Sequence, residues 1–307
     1  MDLTSNPTKA LLAVAHYVAK AQSKKHQESN EIPNINHSID LALFQTKVGY
    51  LYLIGILARF FVNGIKEKSL TYEEITKEFS PVLAKEVEAQ VRHPIILSSD
   101  PEIQTVANDD TILLLWALVF AANKHQAQRR KDQNQSAYIT HPIHVAYLLS
   151  QAGVTDNKAL VGALLHDTVE DTDTNYTEIG KSFGLSVANI VAEVSDDKSL
   201  DKVQRKKLQI EHAKHASQEA KLIKLGDKLS NLSDLLANPP KKWSPIEIKG
   251  YAIWAYHVVA QLRGTNEQLE AQLDEVFKGF GIDSSQMDDA TRTQLLTEYY
   301  GNIKDSD

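Results

Sequence analysis

One short stretch of the chain, residues 164–171, combines apolar helical periodicity with four ionisable side chains. These are His166, Asp167, Glu170 and Asp171. On a helix with about 3.6 residues per turn, predicted here to span residues 157–171, the four share an arc of roughly 140°. Burying such groups without partners costs several kcal/mol each, so we expect the arc to face a ligand. A histidine beside carboxylates is typical of a divalent metal ion and the water that it activates.

A salt-bridged helix surface facing solvent is the simpler alternative for these residues. It is disfavoured because the nearest side chains of opposite charge lie outside residues 164–171. Two further candidate ligands are His141, which opens a predicted helix, and Asp227, which lies in the apolar helical pattern of residues 222–232. A lone Asp on an apolar helix is more often paired with a Lys or a helix cap. The metal prediction therefore depends on four residues together, namely His141, His166, Asp167 and Asp227.

Composition limits the classes of protein to which the chain can belong. It has 307 residues, of which 42% are hydrophobic and 24% charged, as in ordinary globular proteins. No uninterrupted apolar run is long enough for a membrane span and the first residues do not resemble a secretory signal, so we expect a cytoplasmic protein without a membrane partner. The absence of Cys excludes thiolate ligands and a Cys nucleophile. A net charge of −7 argues against nucleic acid as a partner, so a phosphorylated ligand needs a local basic cluster.

Helical periodicity runs through almost the whole chain and predicts an all-α fold. A small hairpin near residues 133–139 is the one candidate for β structure. The predicted helices span residues 8–24, 38–47, 49–66, 71–91, 110–130, 142–152, 157–171, 176–195, 201–214, 217–237, 245–263, 266–279 and 289–300.

Residues 10–91 repeat the pattern of residues 116–195, which indicates a degenerate duplication, although amphipathic helices of similar length can also resemble one another by chance. In the first copy, Ala58-Arg59 stands where the second has His166-Asp167, and of the metal-type residues only His37 is kept. We therefore predict that this copy binds no metal. The predicted parts are a degenerate module at 1–92, a linker at 93–108, a catalytic domain at 109–282 and a polar tail at 283–307.

Longer strings carry a family resemblance. They are Gln128-Arg129-Arg130-Lys131-Asp132, Tyr138-Ile139-Thr140-His141-Pro142-Ile143, Leu164-Leu165-His166-Asp167-Thr168-Val169-Glu170-Asp171-Thr172 and Asp227-Lys228-Leu229-x-Asn231-Leu232. In order and spacing these strings resemble the HD-domain hydrolase of the RelA/SpoT family, and the stand-alone small alarmone hydrolases in particular. The resemblance spans residues 110–280, and we expect a hydrolase without a synthetase domain.

The resemblance implies an HD-domain helical bundle that removes the 3′-diphosphate of (p)ppGpp with the help of Mn²⁺ or another divalent ion. It implies that His141, His166, Asp167 and Asp227 bind the metal. Glu170 and Asp171 would orient and deprotonate the attacking water, which agrees with a carboxylate one turn from the ligands. In the alternative interpretation, Glu170 and Asp171 only orient His166.

The same resemblance implies a set of contacts to a guanine nucleotide, made by Arg130, Lys131, Lys202, Asn231 and Tyr251. The basic run at 205–207 also matches basic family positions, but it and Lys202 could equally form a solvated helix face. The chain departs from the family at Ser230, usually aromatic or His, and at Ser233, often Arg, so its nucleotide preference can differ from that of the family.

Two alternatives to the alarmone hydrolase are open. The first is a phosphatase of another nucleotide, such as one that removes the 2′-phosphate of NADPH. The second is a nucleotide sensor without catalysis, which the retained Glu170 and Asp171 disfavour. The N-terminal copy by itself suits an interface that forms a homo-oligomer.

Overall fold

The structure is a computed structural model that describes residues 6–29, 53–66, 68–92, 109–133, 135–282 and 287–303. Within these ranges the regular secondary structure is helical, which confirms the all-α prediction. The predicted hairpin is reduced to an isolated antiparallel bridge between Arg129 and Ala137. The helices are α1 Pro7–Ser29, α2 Leu53–Lys66, α3 Tyr72–Glu78, α4 Pro81–Arg92, α5 Asp109–Lys124, α6 Thr140–Gln151, α7 Asn157–Leu165, α8 Thr168–Asp171, α9 Tyr176–Phe183, α10 Leu185–Val194, α11 Lys202–Ala213, α12 Gln218–Ala237, α13 Pro245–Ala260, α14 Glu267–Gly279 and α15 Asp289–Asn302.

Three helices predicted as continuous are each divided in two. The helix predicted at 71–91 is divided before Pro81, which lacks an N–H and suits the first turn of α4, where the Ser80 hydroxyl accepts a hydrogen bond from the Leu83 N–H at 3.0 Å. The helix predicted at 176–195 is divided at Gly184. The helix predicted at 157–171 is divided within the motif that contains the ionisable side chains. The predicted helix at 38–47, the linker at 93–108 and His37 lie outside the described residues.

The described residues form two compact units, of which the first comprises those of Met1–Arg130 and Asn134–Ser150. Tyr17 on α1, Phe61 on α2 and Phe79 after α3 pack together, with ring centroids 5.2–6.3 Å apart. On the same helix α1, His16 stacks on α6, where its ring centroid lies 4.3 Å from that of Tyr147 and 4.9 Å from that of His144. Burial and the neighbouring His144 lower the pKa of His16 to about 3, so the His16 ring is uncharged at neutral pH.

The second unit comprises Lys131–Gln133 and Gln151–Asp307. Its core forms where α7 approaches α10 and α12 closely, at Gly162. A Cβ atom at Gly162 would lie 3.0 Å from side-chain carbons of both Ile190 and Ile223, which is tighter than ordinary packing. Because Gly162 precedes His166 by one turn and Ile223 precedes Asp227 by one turn, this contact sets the spacing between the two candidate ligands.

The last helix, α15, packs on α13 through a second close approach at Gly250. A Cβ atom at Gly250 would lie 2.3 Å from Cδ2 of Tyr299, a side chain that is 8% exposed. Residues 289–302 therefore contribute to the packed structure of the second unit. Among the described residues, no helix combines the length and the apolar character that a membrane crossing requires.

We expect the Gly250→Ala substitution to lower the unfolding temperature by several degrees. The added methyl group overlaps Cβ, Cγ and Cδ2 of Tyr299, and overpacking of this kind costs ~1–3 kcal/mol. Gly301→Ala is the matched control, because this helical glycine has no atom within 4 Å of its would-be Cβ. Thermal unfolding followed by circular dichroism measures both. Equal unfolding temperatures would contradict the described packing of α15.

Candidate metal centre and active site

The helix that was predicted across residues 157–171 is interrupted at His166 and Asp167. Helix α7 ends at Leu165 and α8 begins at Thr168, while Asp167 has φ −95° and ψ −5°. This region of backbone conformation is sparsely populated and frequent in active sites. The Thr168 hydroxyl donates to the carbonyl oxygen of Leu165 at 2.7 Å, so a carbonyl released at the helix end regains a partner. The prediction of one continuous helix was wrong here.

The orientation of His166 is fixed by a carbonyl group and two carboxylates. Its Nδ1 lies 2.8 Å from the carbonyl oxygen of Ala163 and donates to it, which in the neutral ring leaves the lone pair on Nε2. That Nε2 lies 3.1 Å from Oδ2 of Asp167 and 3.9 Å from Oδ1 of Asp227. Burial lowers the pKa of His166, but Asp167, Asp227 and the Ala163 carbonyl outweigh it and raise the pKa to about 9. This point in the protein therefore strongly favours a positive charge.

Three of the four predicted metal ligands come together. His141, His166 and Asp227 each present a ligand atom, and these atoms lie within 4.8 Å of one another. The fourth, Asp167, contacts the ring nitrogen of His166. Ligand atoms at about 2.1 Å from one cation are ~3–4 Å apart, so small side-chain rotations would close the group around an ion. Imidazole and carboxylate donors suit a divalent cation. The residues present therefore fit a divalent metal ion.

The two predicted water-handling carboxylates lie on α8, beside the loop that follows α10. Lys198 in this loop places its Nζ 3.4 Å from Oε1 of Glu170 and 3.0 Å from Oδ1 of Asp171. The backbone N–H of Asp196 donates to Oε2 of Glu170 at 3.0 Å. Burial and the nearby Asp196 carboxylate raise the pKa of Glu170, although this N–H and Lys198 oppose the shift. Glu170 is thus a half-buried carboxylate that binds a proton more readily than usual.

A chain of hydrogen bonds joins Asp196 to the candidate ligand Asp227. The Gln209 amide nitrogen donates to both carboxylate oxygens of Asp196, at 2.8 and 2.9 Å. Its amide oxygen accepts from Lys228 Nζ at 3.1 Å, and the same ammonium group lies 2.9 Å from Oδ2 of Asp227. On the other side, the Asn231 amide donates to Oδ1 of Asp227 at 2.6 Å.

Sequence reasoning did not assign a role to four members of this network, which are Asp196, Lys198, Gln209 and Lys228. Two weak signals were available: Lys228 follows Asp227 directly, and the polar run Asp196-Asp197-Lys198 comes at the end of an apolar helix. Gln209 gave no signal, because it lies on a helix whose other residues are mostly polar.

The predicted nucleotide contacts lie in different environments. Asn231 is in the network, and the ring of Tyr251 lies 4.9 Å from Nζ of Lys206. Lys202 is the half-buried first residue of α11. The Arg130 guanidinium lies 5.9 Å from the ring centroid of Tyr138, and Lys131 is exposed.

A helical fold with a His–Asp cluster suited to a divalent cation defines the class of HD-type phosphohydrolases. The family model described as "HD domain" matches residues 117–274. Guanosine-3′,5′-bis(diphosphate) 3′-pyrophosphohydrolase MESH1 of Xenopus tropicalis is 53% identical over 176 residues, which are 57% of this chain and 98% of that protein. Human MESH1 is 52% identical over 170 residues, which are 55% of this chain and 95% of that protein.

A solved structure gives the same relationship. It is described as "A metazoan ortholog of SpoT hydrolyzes ppGpp and plays a role in starvation responses", and it matches with a TM-score of 0.55 and 47% identity over 58% of this chain and 99% of its own. The chain belongs to the HD-domain family, as an enzyme of the RelA/SpoT type related to the MESH1 proteins. The family resemblance noted in the sequence is thereby confirmed.

We expect the purified protein to bind one divalent ion, and His166→Ala to weaken that binding by at least ~100-fold. The reason is that even residues that only orient metal ligands are worth about 10–100-fold in affinity. His215→Ala is the matched control, because His215 is exposed. Calorimetric titration with Mn²⁺ measures all three proteins. Unchanged affinity in His166→Ala would show that the cluster is not the metal site.

Proposed function

We propose that this enzyme hydrolyses the 3′-diphosphate of (p)ppGpp in a Mn²⁺-dependent reaction that releases GDP or GTP and pyrophosphate. The observation that carries the proposal is the His–Asp cluster beside Glu170, in a chain that matches nearly the full length of proteins named as ppGpp 3′-pyrophosphohydrolases. A guanine nucleotide is then the small-molecule partner. Mn²⁺ is one of the divalent ions that mixed nitrogen and oxygen ligands accept.

In this proposal His141, His166, Asp167 and Asp227 hold the cation. A bound divalent ion supplies positive charge that acidifies water and offsets the charge developing on phosphoryl oxygens. The Ala163 carbonyl keeps the proton of neutral His166 on Nδ1, so that Nε2 carries the lone pair that a metal ligand requires. Asn231 and Lys228 hold the two oxygens of Asp227 in place from either side.

Glu170 takes the proton from the attacking water and Asp171 orients that water. The raised pKa of Glu170 supports this role, because a more basic carboxylate accepts a proton more readily near neutral pH. Lys198 bridges Glu170 and Asp171 and fixes their separation. The alternative role as an orienter of His166 has less support for Glu170. Glu170 accepts a hydrogen bond from the Asp196 N–H and forms an ion pair with Lys198, while His166 is oriented by Ala163.

The remaining predicted contacts complete the substrate site in this proposal. Tyr251 and Arg130 offer flat surfaces for stacking on a base, and Lys131, Lys202 and Asn231 offer hydrogen bonds to phosphate or sugar. Ser230 is fully buried on α12, so the substitution of the usual aromatic or His removes volume from the interior of the unit. This difference favours testing other nucleotides, of which NADPH is the main alternative substrate.

The N-terminal region is proposed to be a metal-free module, residues 1–92, that mediates contact with a second copy of the chain. The stack of His16 on His144 and Tyr147 supports a structural role for α1. The relatives support a role outside the basic reaction, because 57% of this chain matches 98% of the Xenopus protein. The predicted boundaries at 93–108 and 283–307 are kept as part of this proposal.

We expect the Mn²⁺-loaded enzyme to release pyrophosphate from ppGpp and pppGpp, and neither pyrophosphate nor orthophosphate from simple nucleotides. Glu170→Gln should lower kcat by ~100–10,000-fold while metal binding is kept, because it removes only the base. His166→Ala should lose both activity and metal. The assay quantifies both phosphate products with NADPH as a parallel substrate. Orthophosphate from NADPH with no pyrophosphate from either alarmone would replace the proposed function by the alternative one.

For the N-terminal module we expect the full chain to sediment as a homo-oligomer and a variant lacking residues 1–100 to form a smaller assembly. Analytical ultracentrifugation over a range of concentrations measures this. Full-length His16→Ala is the control, since it removes one ring of the α1–α6 stack and keeps the module. A monomeric full chain would rule out the interface role.

A further inference from the structure

Three lysine side chains lie near the candidate metal centre, close enough to interact with Asp227 or Asp196, and among the described residues only Lys228 forms an ion pair with one of these carboxylates. Lys224 and Lys228 are one turn apart on α12, on either side of Asp227 in the sequence, and Lys206 is on α11. Lys228 pairs with Asp227 and with the amide oxygen of Gln209. The other two ammonium groups therefore need a separate explanation.

Lys224 is buried, and the carboxylate nearest to it in sequence is paired with another lysine. Its residue is 7% exposed, and the described ion pair with Asp227 is made by Lys228. Burial and repulsion by Lys228 lower the pKa of Lys224 to about 8, against the weaker attraction of Asp196, Asp227 and Glu170. These neighbours place the ammonium group within electrostatic range of the proposed catalytic carboxylate and of a metal ligand.

Lys206 lies among aromatic rings and likewise has no carboxylate partner among the described residues. Its Nζ is 3.4 Å from the ring centroid of Trp254, 4.9 Å from that of Tyr251 and 5.4 Å from that of Tyr299. The Trp254 indole also lies 4.6 Å from Nζ of Lys228, so one ring contacts two ammonium groups. The indole N–H donates to the carbonyl oxygen of Lys206 at 3.0 Å, which fixes the ring against α11.

This arrangement is unfavourable for folding alone. A buried charge without a counter-ion loses its hydration and gains little in return. Aromatic faces attract a cation but carry no net charge, so they cannot neutralise neighbouring ammonium groups. Clustered cations of this kind are favourable when an anion binds between them, because its charge-assisted hydrogen bonds replace the lost hydration.

We propose that Lys206 and Lys224, next to Lys228, form a subsite that binds the phosphate groups of the substrate. The subsite rests on the proposed function, which supplies a substrate with a 3′-diphosphate. Its position follows from Lys228, which contacts Asp227 and the same indole as Lys206. A diphosphate bound here would be held by the lysines on one side and would lie beside the candidate metal ligand on the other. Tyr299 of α15 forms a further wall around Lys206.

The test compares Lys224→Met and Lys206→Met with Lys221→Met, a control on α12 whose lysine is not in the cluster. Inorganic pyrophosphate is titrated calorimetrically into the full-length protein, with and without Mn²⁺. We expect ~10–100-fold weaker binding for the first two variants, the usual loss for a hydrogen bond to a charged group, and no change for the control. Without pyrophosphate, both variants should unfold at or above the wild-type temperature, because an unpaired buried charge has been replaced by an apolar chain.

Two outcomes of this comparison would overturn the subsite. One is wild-type affinity for pyrophosphate in both variants. The other is a lower unfolding temperature in both without ligand, which would mean that the ammonium groups stabilise the fold.

Steady-state kinetics with ppGpp then separate substrate from product. A raised KM in Lys224→Met and Lys206→Met supports binding of the substrate's phosphates, whereas a change only in inhibition by pyrophosphate would show a product site and contradict the proposal. If wild type and both variants hydrolyse ppGpp equally well, the proposed function stands and the subsite is wrong. If pyrophosphate binding depends on Lys224 but ppGpp is not hydrolysed, the subsite stands and the proposed function is wrong.

Discussion

The close approach of two carboxylates to one buried histidine is the constraint on which the rest of this structure depends. The carboxylates that contact His166 are those of Asp167 and Asp227, and Glu170, Asp171 and Asp196 belong to the adjoining network. Negative charge in a partly buried site is unfavourable unless cations compensate it. Two lysines do so directly, Lys198 toward α8 and Lys228 toward Asp227. The negative charge of Asp167 and Asp227 also acts on Nε2 of His166, where a proton or a metal ion can compensate it.

Two features of the helices satisfy this constraint, namely their close packing and the interruption of helical structure between α7 and α8. Gly162 allows α7 to lie against α12, so that His166 reaches Asp227. The interruption after Leu165 then turns Asp167 toward the same ring nitrogen instead of continuing along the helix surface. A continuous helix would keep both side chains on one arc but would not free the Leu165 carbonyl that Thr168 now occupies. The interruption of the helix is therefore part of what brings the charged side chains together.

Much of the helical fold could be predicted from the sequence, because helical periodicity is local. The divisions at Pro81, Gly184 and His166 were missed for different reasons. A proline or glycine inside an amphipathic pattern indicates a helix boundary, whereas the break at His166 depends on hydrogen bonds that no pattern encodes.

For the site, residue types and family motifs were enough to select the residues that the structure places together. Lys198 and Gln209 could not be found in this way. Their partners, Asp171 and Asp196, lie 27 and 13 residues away in sequence, and these contacts exist only after the loop that follows α10 has packed. The charge balance they produce also could not be read from the net charge of −7. Lys198 and Lys228 each compensate carboxylates of the site directly, whereas burial and repulsion by Lys228 lower the pKa values of Lys206 and Lys224. A bound divalent cation would compensate further negative charge, which is what allows an acidic protein to accept a polyanionic nucleotide.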